Sequence, residues 1–307
     1  MIILTLTINP ALDVSTHISG MVPEKKLRCT APDYFPGGGG VNVSRALNRL
    51  GLDNLAMFVS GGPAGELIAK LLKEENVTAS PVEVETWTRE NLTVLDDASG
   101  NQYRFTFPGL PLPAKDWEVV LKSMEKLSPF PEMVVMSGSF APGFPLEFIG
   151  KVKAICDIYK AKLLIDTSGP YLQEAAKVGV YLIKPNYNEL CYMAGVKPDQ
   201  LLDVQVVARK VIEQGGCEVM VVSLGANGAS LVTATEYVHI HAPKVPIRST
   251  VGAGDSLLAG VAYALAKNLS WKEVLRWGVA CGTATTMNKG TGLFQPEQVE
   301  QMRKLIR

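Results

Sequence analysis

The chain has 307 residues, 47% hydrophobic and 20% charged, with 30 lysines and arginines against 30 aspartates and glutamates. A formal net charge of zero argues against a protein built to grip nucleic acid, and no apolar run approaches the ~18 residues of a membrane span. Five scattered cysteines without a C-x-x-C pair argue against a disulfide framework or zinc site and point to a reducing cytoplasm.

Along the chain, the predicted elements begin with a buried strand at Ile2–Ile8, too short and lacking the basic lead of a signal peptide. Further apolar strands follow at Leu55–Val59, Met133–Met136, Leu163–Ile165, Tyr181–Ile183 and Val219–Ser223. Between them apolar residues recur at helical spacing, as in Leu67, Ile68, Leu71 and Leu72, or Phe148, Ile149, Val152, Ile155 and Ile158. This alternation predicts an α/β fold with a mostly parallel sheet covered on both faces. Two segments, Val14–Arg28 and Val82–Phe107, read instead as short strands with turns, including a hairpin turn at Ala98-Ser99-Gly100-Asn101. They are expected to form a small antiparallel sheet beside the main one. From Gly254 onward the chain reads as chiefly helical. No repeat or flexible linker interrupts it, so one domain over 1–307 is expected.

Three glycine-rich stretches bear on chemistry. PGGGGVNVSRAL (Pro36–Leu47) precedes a helix. Four consecutive glycines cost backbone entropy and pack nothing, which makes sense where N–H groups must approach a small polar ligand. Asn42, on the first helical turn, would point at the same place. VVSLGANGASLV (Val221–Val232) runs a strand through a Gly-x-x-Gly turn into another strand; a tight turn explains it almost as well as nucleotide contact. Neither the P-loop pattern nor a dinucleotide fingerprint after the first strand is present, which excludes a P-loop NTPase and disfavours a dehydrogenase.

The third stretch, TVGAGDSLLAG (Thr250–Gly260), sets Asp255 behind Gly252-Ala253-Gly254. These residues can present successive N–H groups as an anion nest at a helix N-terminus. An acid there can simply stabilise the helix dipole, by ~0.3–1 kcal/mol. A nest that also carries a carboxylate suits phosphoryl transfer: the N–H groups neutralise developing phosphate charge while the carboxylate takes a proton from a hydroxyl.

TVGAGDS resembles the C-terminal signature of the ribokinase-like carbohydrate kinases, the phosphofructokinase-B family. PGGGGVNVSRALNRLG resembles its N-terminal glycine signature, and KPNYNEL (Lys184–Leu190) its N-x-x-E magnesium motif. KLRCTAP (Lys26–Pro32), QYRF (Gln102–Phe105) and STVGAGDS (Ser249–Ser256) are similar to its 6-phosphofructokinase branch. The resemblance implies a Rossmann-type three-layer α/β sandwich with a β-sheet lid, drawn from about residues 13–35 and 82–108. It implies Asp255 as general base, with Gly252, Ala253 and Gly254 as the anion hole. Lys184 and Asn186 would lie near the phosphates of ATP, and Ser223, Leu224, Gly225, Ala226 and Gly228 would shape the nucleotide site. Asn186 and Glu189 would hold Mg2+ through water.

On the sugar side the resemblance implies contacts from Asp13, Gly38, Gly39, Asn42 and Ser137. Lys26, Arg28, Arg89 and Arg104, from the lid, would meet the substrate's phosphate, for which arginine is suited by bidentate bonding. A potassium loop would map to backbone at Ser249, Val251, Thr285, Asn288 and Gly290. The expected substrate is fructose 6-phosphate, phosphorylated at O1. Related 1-phosphofructokinases and tagatose-6-phosphate kinases, the alternatives, usually carry lysine where this chain has Gly39. A nucleoside kinase and a non-catalytic sugar-phosphate sensor are more remote. An isolated small sheet with open edges is marginal in water, so a homodimer formed through the lids is expected.

Overall fold

A computed structural model describes residues 2–197 and 203–306. The chain opens with strands β1 (Ile3–Thr7), β2 (Ala11–Ile18) and β3 (Asp33–Gly37), then α1 (Gly39–Arg49), β4 (Asn54–Ser60), α2 (Gly62–Glu74) and β5 (Thr78–Glu83). It continues through β6 (Arg89–Asp96), β7 (Gln102–Phe105), α3 (Ala114–Glu125), β8 (Met133–Ser137), α4 (Glu147–Ile158), β9 (Lys162–Asp166) and α5 (Gly169–Val178). Then come β10 (Val180–Ile183), α6 (Tyr187–Ala194), α7 (Val204–Glu213), β11 (Cys217–Ser223), β12 (Ala229–Val232) and β13 (Tyr237–Ile240). Helices α8 (Ala253–Ala266), α9 (Trp271–Thr286) and α10 (Pro296–Leu305) follow.

Among the described residues the main sheet has nine strands in the order β13-β12-β11-β10-β9-β8-β1-β4-β5. It is parallel from β5 to β11, with β12 and β13 added antiparallel at one edge. Apolar side chains alternate across it. Ile3, Met133, Val135, Leu164 and Leu182 pack under α1, α8 and α9, whereas Leu4, Leu6, Val134, Leu163 and Ile165 pack against α3, α4 and α5. A strand buried on both faces is apolar at most positions, which is why the sequence reads as short, nearly continuous apolar runs; Thr5 and Thr7 of β1 are buried exceptions. Two assignments fail: Ile158, the final residue of α4, and Ile2, just before β1, are exposed.

Chain order along the sheet reverses between β1 and β8. From β1 the chain adds β4 and β5 on one side, then crosses to β8 and proceeds through β9 and β10. Ligand crevices in such sheets form outside the carboxyl ends of the strands at this reversal.

The small sheet has the order β3-β2-β6-β7. It is mixed rather than antiparallel, because β2 and β6 run parallel. Both follow strands of the parallel main sheet, β1 and β5, and leave it in the same direction. The lid is also narrower than expected: Val82 belongs to β5 in the main sheet, and residues 19–32, including Lys26 and Arg28, form no strand. Its two faces differ. The register sets Tyr34, Val14, Leu92 and Phe105 in one apolar row, while Asp13, Asn91 and Phe35 lie opposite one another on the other face.

Candidate active site

The site is assembled from the carboxyl ends of the central strands, the glycine loop and the start of α8. Gly252 adopts φ +73° as the N-cap of α8, a conformation that favours glycine. Asp255 lies one turn in. The N–H groups of Gly254 and Asp255, on that first turn, have no acceptor within the helix. The Ala253 N–H makes a long 3.3 Å bond to Thr250 O.

Asp255 is half-buried. Asn42 Nδ2 donates to its Oδ2 at 2.9 Å, and Ser137 Oγ, at the end of β8, donates to Oδ1 at 3.4 Å. Burial, followed by repulsion from Asp166, pushes its pKa up to about 6, despite the opposing pull of Asn42, Lys184 and Ser137. A carboxylate tuned toward neutrality is a better proton acceptor than an exposed one.

The four-glycine run permits close packing as well as ligand approach. A Cβ on Gly39 would stand 2.4 Å from Ser137 Oγ and 2.6 Å from Gly138 N, so the start of α1 can lie against the end of β8 only without a side chain there. Gly39 thereby lets the start of α1, which carries Asn42, lie close to the end of β8.

Beside Asp255, Lys184 Nζ lies 2.9 Å from Asp166 Oδ2, and both side chains are nearly buried. Burial alone would lower the lysine pKa; the carboxylates of Asp166, Asp255 and Glu189 overcome it and hold Lys184 charged. Asn186 caps α6 rather than lying within it. Its Oδ1 accepts from Glu189 N at 2.9 Å, while Glu189 Oε2 accepts from Asn186 N at 2.8 Å, a reciprocal capping box. Burial raises the Glu189 pKa. Among the described residues no three His, Cys, Asp or Glu side chains form a ready metal cluster.

From Gly254 a cavity of about 370 Å³ runs back to the Gly225–Gly228 turn. Ser223, Gly225, Ala226 and Gly228 form one wall, and Ala242, Pro243, Val245 and Ile247 another. Leu257, Val279, Gly282 and Thr283 close it from α8 and α9. Such an apolar slot with a few polar groups suits a heteroaromatic ring, and it opens onto the free N–H groups of α8. Leu224, expected here too, packs instead with the core on the other face of the sheet.

On the lid, Asn91 Nδ2 donates to Asp13 Oδ1 at 2.8 Å. Burial raises the Asp13 pKa against the lowering effect of Asn91, Arg89, Arg104 and Arg45. Arg89 donates to Phe107 O at 2.6 Å and Asn9 O at 3.2 Å, strapping the lid to the end of β1. Arg89 and Arg104 therefore gather about Asp13. Lys26 and Arg28 do not: both are exposed, with no hydrogen bond or ion pair among the described residues. Ser249 meets the end of α9, where Thr286 O accepts from Ser249 N at 3.3 Å; Val251 N donates to Ser249 Oγ at 3.2 Å, and Asn288 and Gly290 follow Thr285 in the next turn.

Sequence reasoning missed Asp166, Arg45 and Asn91. Asp166 had a readable signal, an acid ending the buried run KLLID. Arg45 had none, since a lone arginine in a helix reads as solvated.

Groups that can take a proton from a hydroxyl and neutralise a transferred anion, set beside a slot of nucleotide-base size, define a phosphotransferase on a ribokinase-like fold. The pfkB family of carbohydrate kinases matches residues 5–298, and the chain belongs to that family. It is 38% identical over 301 residues, 98% of this chain and 97% of the relative, to the ATP-dependent 6-phosphofructokinase isozyme 2 of Escherichia coli. It is 31% identical to the 1-phosphofructokinase of Bacillus subtilis, over 94% of each chain. Structures of Escherichia coli phosphofructokinase-2 superpose over 99% of this chain and 98% of theirs. They include a complex with fructose-6-phosphate (TM-score 0.90, 37% identity), one with potassium (0.93, 38%) and a tetrameric inhibited form (0.91, 37%).

Proposed function

We propose that this protein is an ATP-dependent 6-phosphofructokinase, converting fructose 6-phosphate to fructose 1,6-bisphosphate and ADP. The observation that carries the reading is Asp255: a half-buried carboxylate held by Asn42 and Ser137 on the first turn of α8, whose opening residues Ala253 and Gly254 line the nucleotide-sized slot. ATP lies with its base in that slot and its phosphates toward Gly254 and Lys184. The sugar O1 hydroxyl approaches Asp255 Oδ1, which takes its proton as O1 attacks the γ-phosphorus; the bond to the ADP oxygen breaks. The N–H groups of Gly254 and Asp255 meet charge on the transferred group.

Asp166, Asn186 and Glu189 offer hard oxygen donors beside Lys184, a set that fits Mg2+ held partly through water. Bound there, magnesium would neutralise phosphate charge. The Ser249, Val251, Thr285, Asn288 and Gly290 backbone offers neutral carbonyl oxygens, which suit K+.

Substrate choice rests on two features. No side chain fits at position 39, so the lysine of the 1-phosphofructokinase pattern has no counterpart beside the sugar. Positive charge comes instead from Arg89 and Arg104 beside Asp13, which suits a phosphate at the far end of the sugar. ADP release from Mg-ATP, with sugar phosphates and adenosine in parallel, tests this. We expect kcat/KM for fructose 6-phosphate to exceed that for fructose 1-phosphate, with tagatose 6-phosphate slower and adenosine inert. The reverse order for the two fructose phosphates overturns the assignment.

The apolar lid row, with Tyr34 and Phe105 exposed at its ends, supports a homodimer built lid to lid. Sedimentation of a stable monomer at micromolar concentration contradicts it. The free cysteines, four of the five buried, suit a reducing cytoplasm.

A further inference from the structure

Arg45, on the second turn of α1, is 1% exposed, yet none of the roles above uses it. Its Nε and Nη2 donate to the two Glu75 carboxylate oxygens at 2.8 and 2.6 Å, a bidentate fork. Its Nη1 donates to Pro36 O at 3.2 Å, where the chain enters the glycine loop, and to Asn42 Oδ1 at 3.3 Å. Asn42 Nδ2 in turn donates to Asp255 Oδ2. One buried guanidinium thus joins the end of α2, the glycine loop and the side chain that touches the base.

The order of donors in this relay has a direction. Arginine has no acceptor, so only the Asn42 oxygen can face it favourably. A flipped amide would set NH2 against the guanidinium and oxygen against the Asp255 carboxylate, two repulsive contacts in place of two hydrogen bonds. We propose that Arg45 is a positioning residue for the base: it locks the Asn42 amide so that Nδ2 faces Asp255 Oδ2, leaving Oδ1, which takes only the long 3.4 Å bond from Ser137, as the oxygen that receives the substrate proton. The proposal rests on the kinase reading above. Arg45 is not itself catalytic, since Asn42 stands between it and the reacting atoms. Lysine cannot replace it, because a single ammonium cannot hold the Glu75 fork, Pro36 O and Asn42 together.

The test is a double-mutant cycle with pH profiles. Asp166 from β9, Lys184 beyond β10 and Ser137 from β8 face the same carboxylate, and no substitution in the cycle alters them. Arg45→Met is expected to lower kcat by about tenfold, leave KM for ATP within about twofold, and move the acid limb of kcat up by roughly half to one pH unit. Arg45→Lys, which keeps charge and length if the methionine variant fails to fold, should recover only part of the loss. In an Asn42→Ala background Arg45→Lys should change kcat no further, since the relay is already cut. Equal losses in both backgrounds, or a fall in Tm with an unmoved acid limb, overturn the proposal and leave Arg45 a packing residue. A wild type without kinase activity overturns the functional reading itself, and this proposal with it.

Discussion

Replacing Asp255 with asparagine is expected to stabilise the protein while nearly abolishing its activity. Asparagine keeps the shape: its oxygen can still accept from Asn42 Nδ2, and its NH2 can donate toward Ser137 Oγ. What disappears is a negative charge held beside Asp166, poorly solvated. The pKa of Asp255 rises from 3.8 to about 6 on folding. Between those values the folded state holds a proton that the unfolded chain has released, so wild-type stability falls as pH rises through that window. Two pH units correspond to roughly 3 kcal/mol, and partial solvation trims that to about 1–3 kcal/mol. Urea or thermal unfolding of both proteins from pH 4 to 8 measures it. The stability advantage of the Asp255→Asn variant should be near zero at pH 4 and complete above pH 6, while kcat at pH 8 falls by ~10²–10⁴. A variant less stable at pH 8, or a gap that does not change with pH, refutes the electrostatic argument; near-wild-type turnover removes Asp255 from the chemistry.

Lys184→Met leaves Asp166 facing Asp255 without a cation and should cost about 3–5 kcal/mol of stability at pH 8, less below pH 5, as chemical unfolding at both pH values would report. Thr283→Trp fills part of the slot beside α8, so KM for ATP should rise at least about tenfold while KM for the sugar phosphate stays within about twofold in steady-state kinetics. Phe105→Glu puts a charge at the end of the apolar lid row; analytical ultracentrifugation should find the assembly weakened with the secondary structure unchanged.

Much of the α/β layer was legible because strands buried on both faces leave continuous apolar runs. Leu163–Ile165 and Val219–Ser223 could hardly be anything else once helical spacing appeared between them. The lid was only half legible. Alternation marks β6 and β7, but nothing local to β2 says that its partner across the sheet, far along the chain, runs parallel; that direction follows from where β1 and β5 end. Motif residues Gly39, Asn42 and Asp255 announced themselves through glycine clustering and a nest geometry, and the fold brings them into one crevice. Lys26 and Arg28 stand exposed in the single chain, and the expected lid-to-lid pairing is what would carry them to a substrate phosphate. Arg45 marks a limit of sequence reasoning: its burial arises from Glu75, at the far end of α2, and no spacing within α1 reveals it.

The central claim is that O1 of fructose 6-phosphate receives the γ-phosphoryl group of ATP with Asp255 as base. Phosphorus-31 NMR of the reaction with Mg-ATP reads this directly. The account predicts one new sugar-phosphate resonance at C1, the C6 resonance retained, ADP formed in equal amount, and none of these with Asp255→Asn over the same interval. A new phosphate at any other carbon, or the same C1 product at wild-type rate from the Asp255→Asn variant, would contradict it.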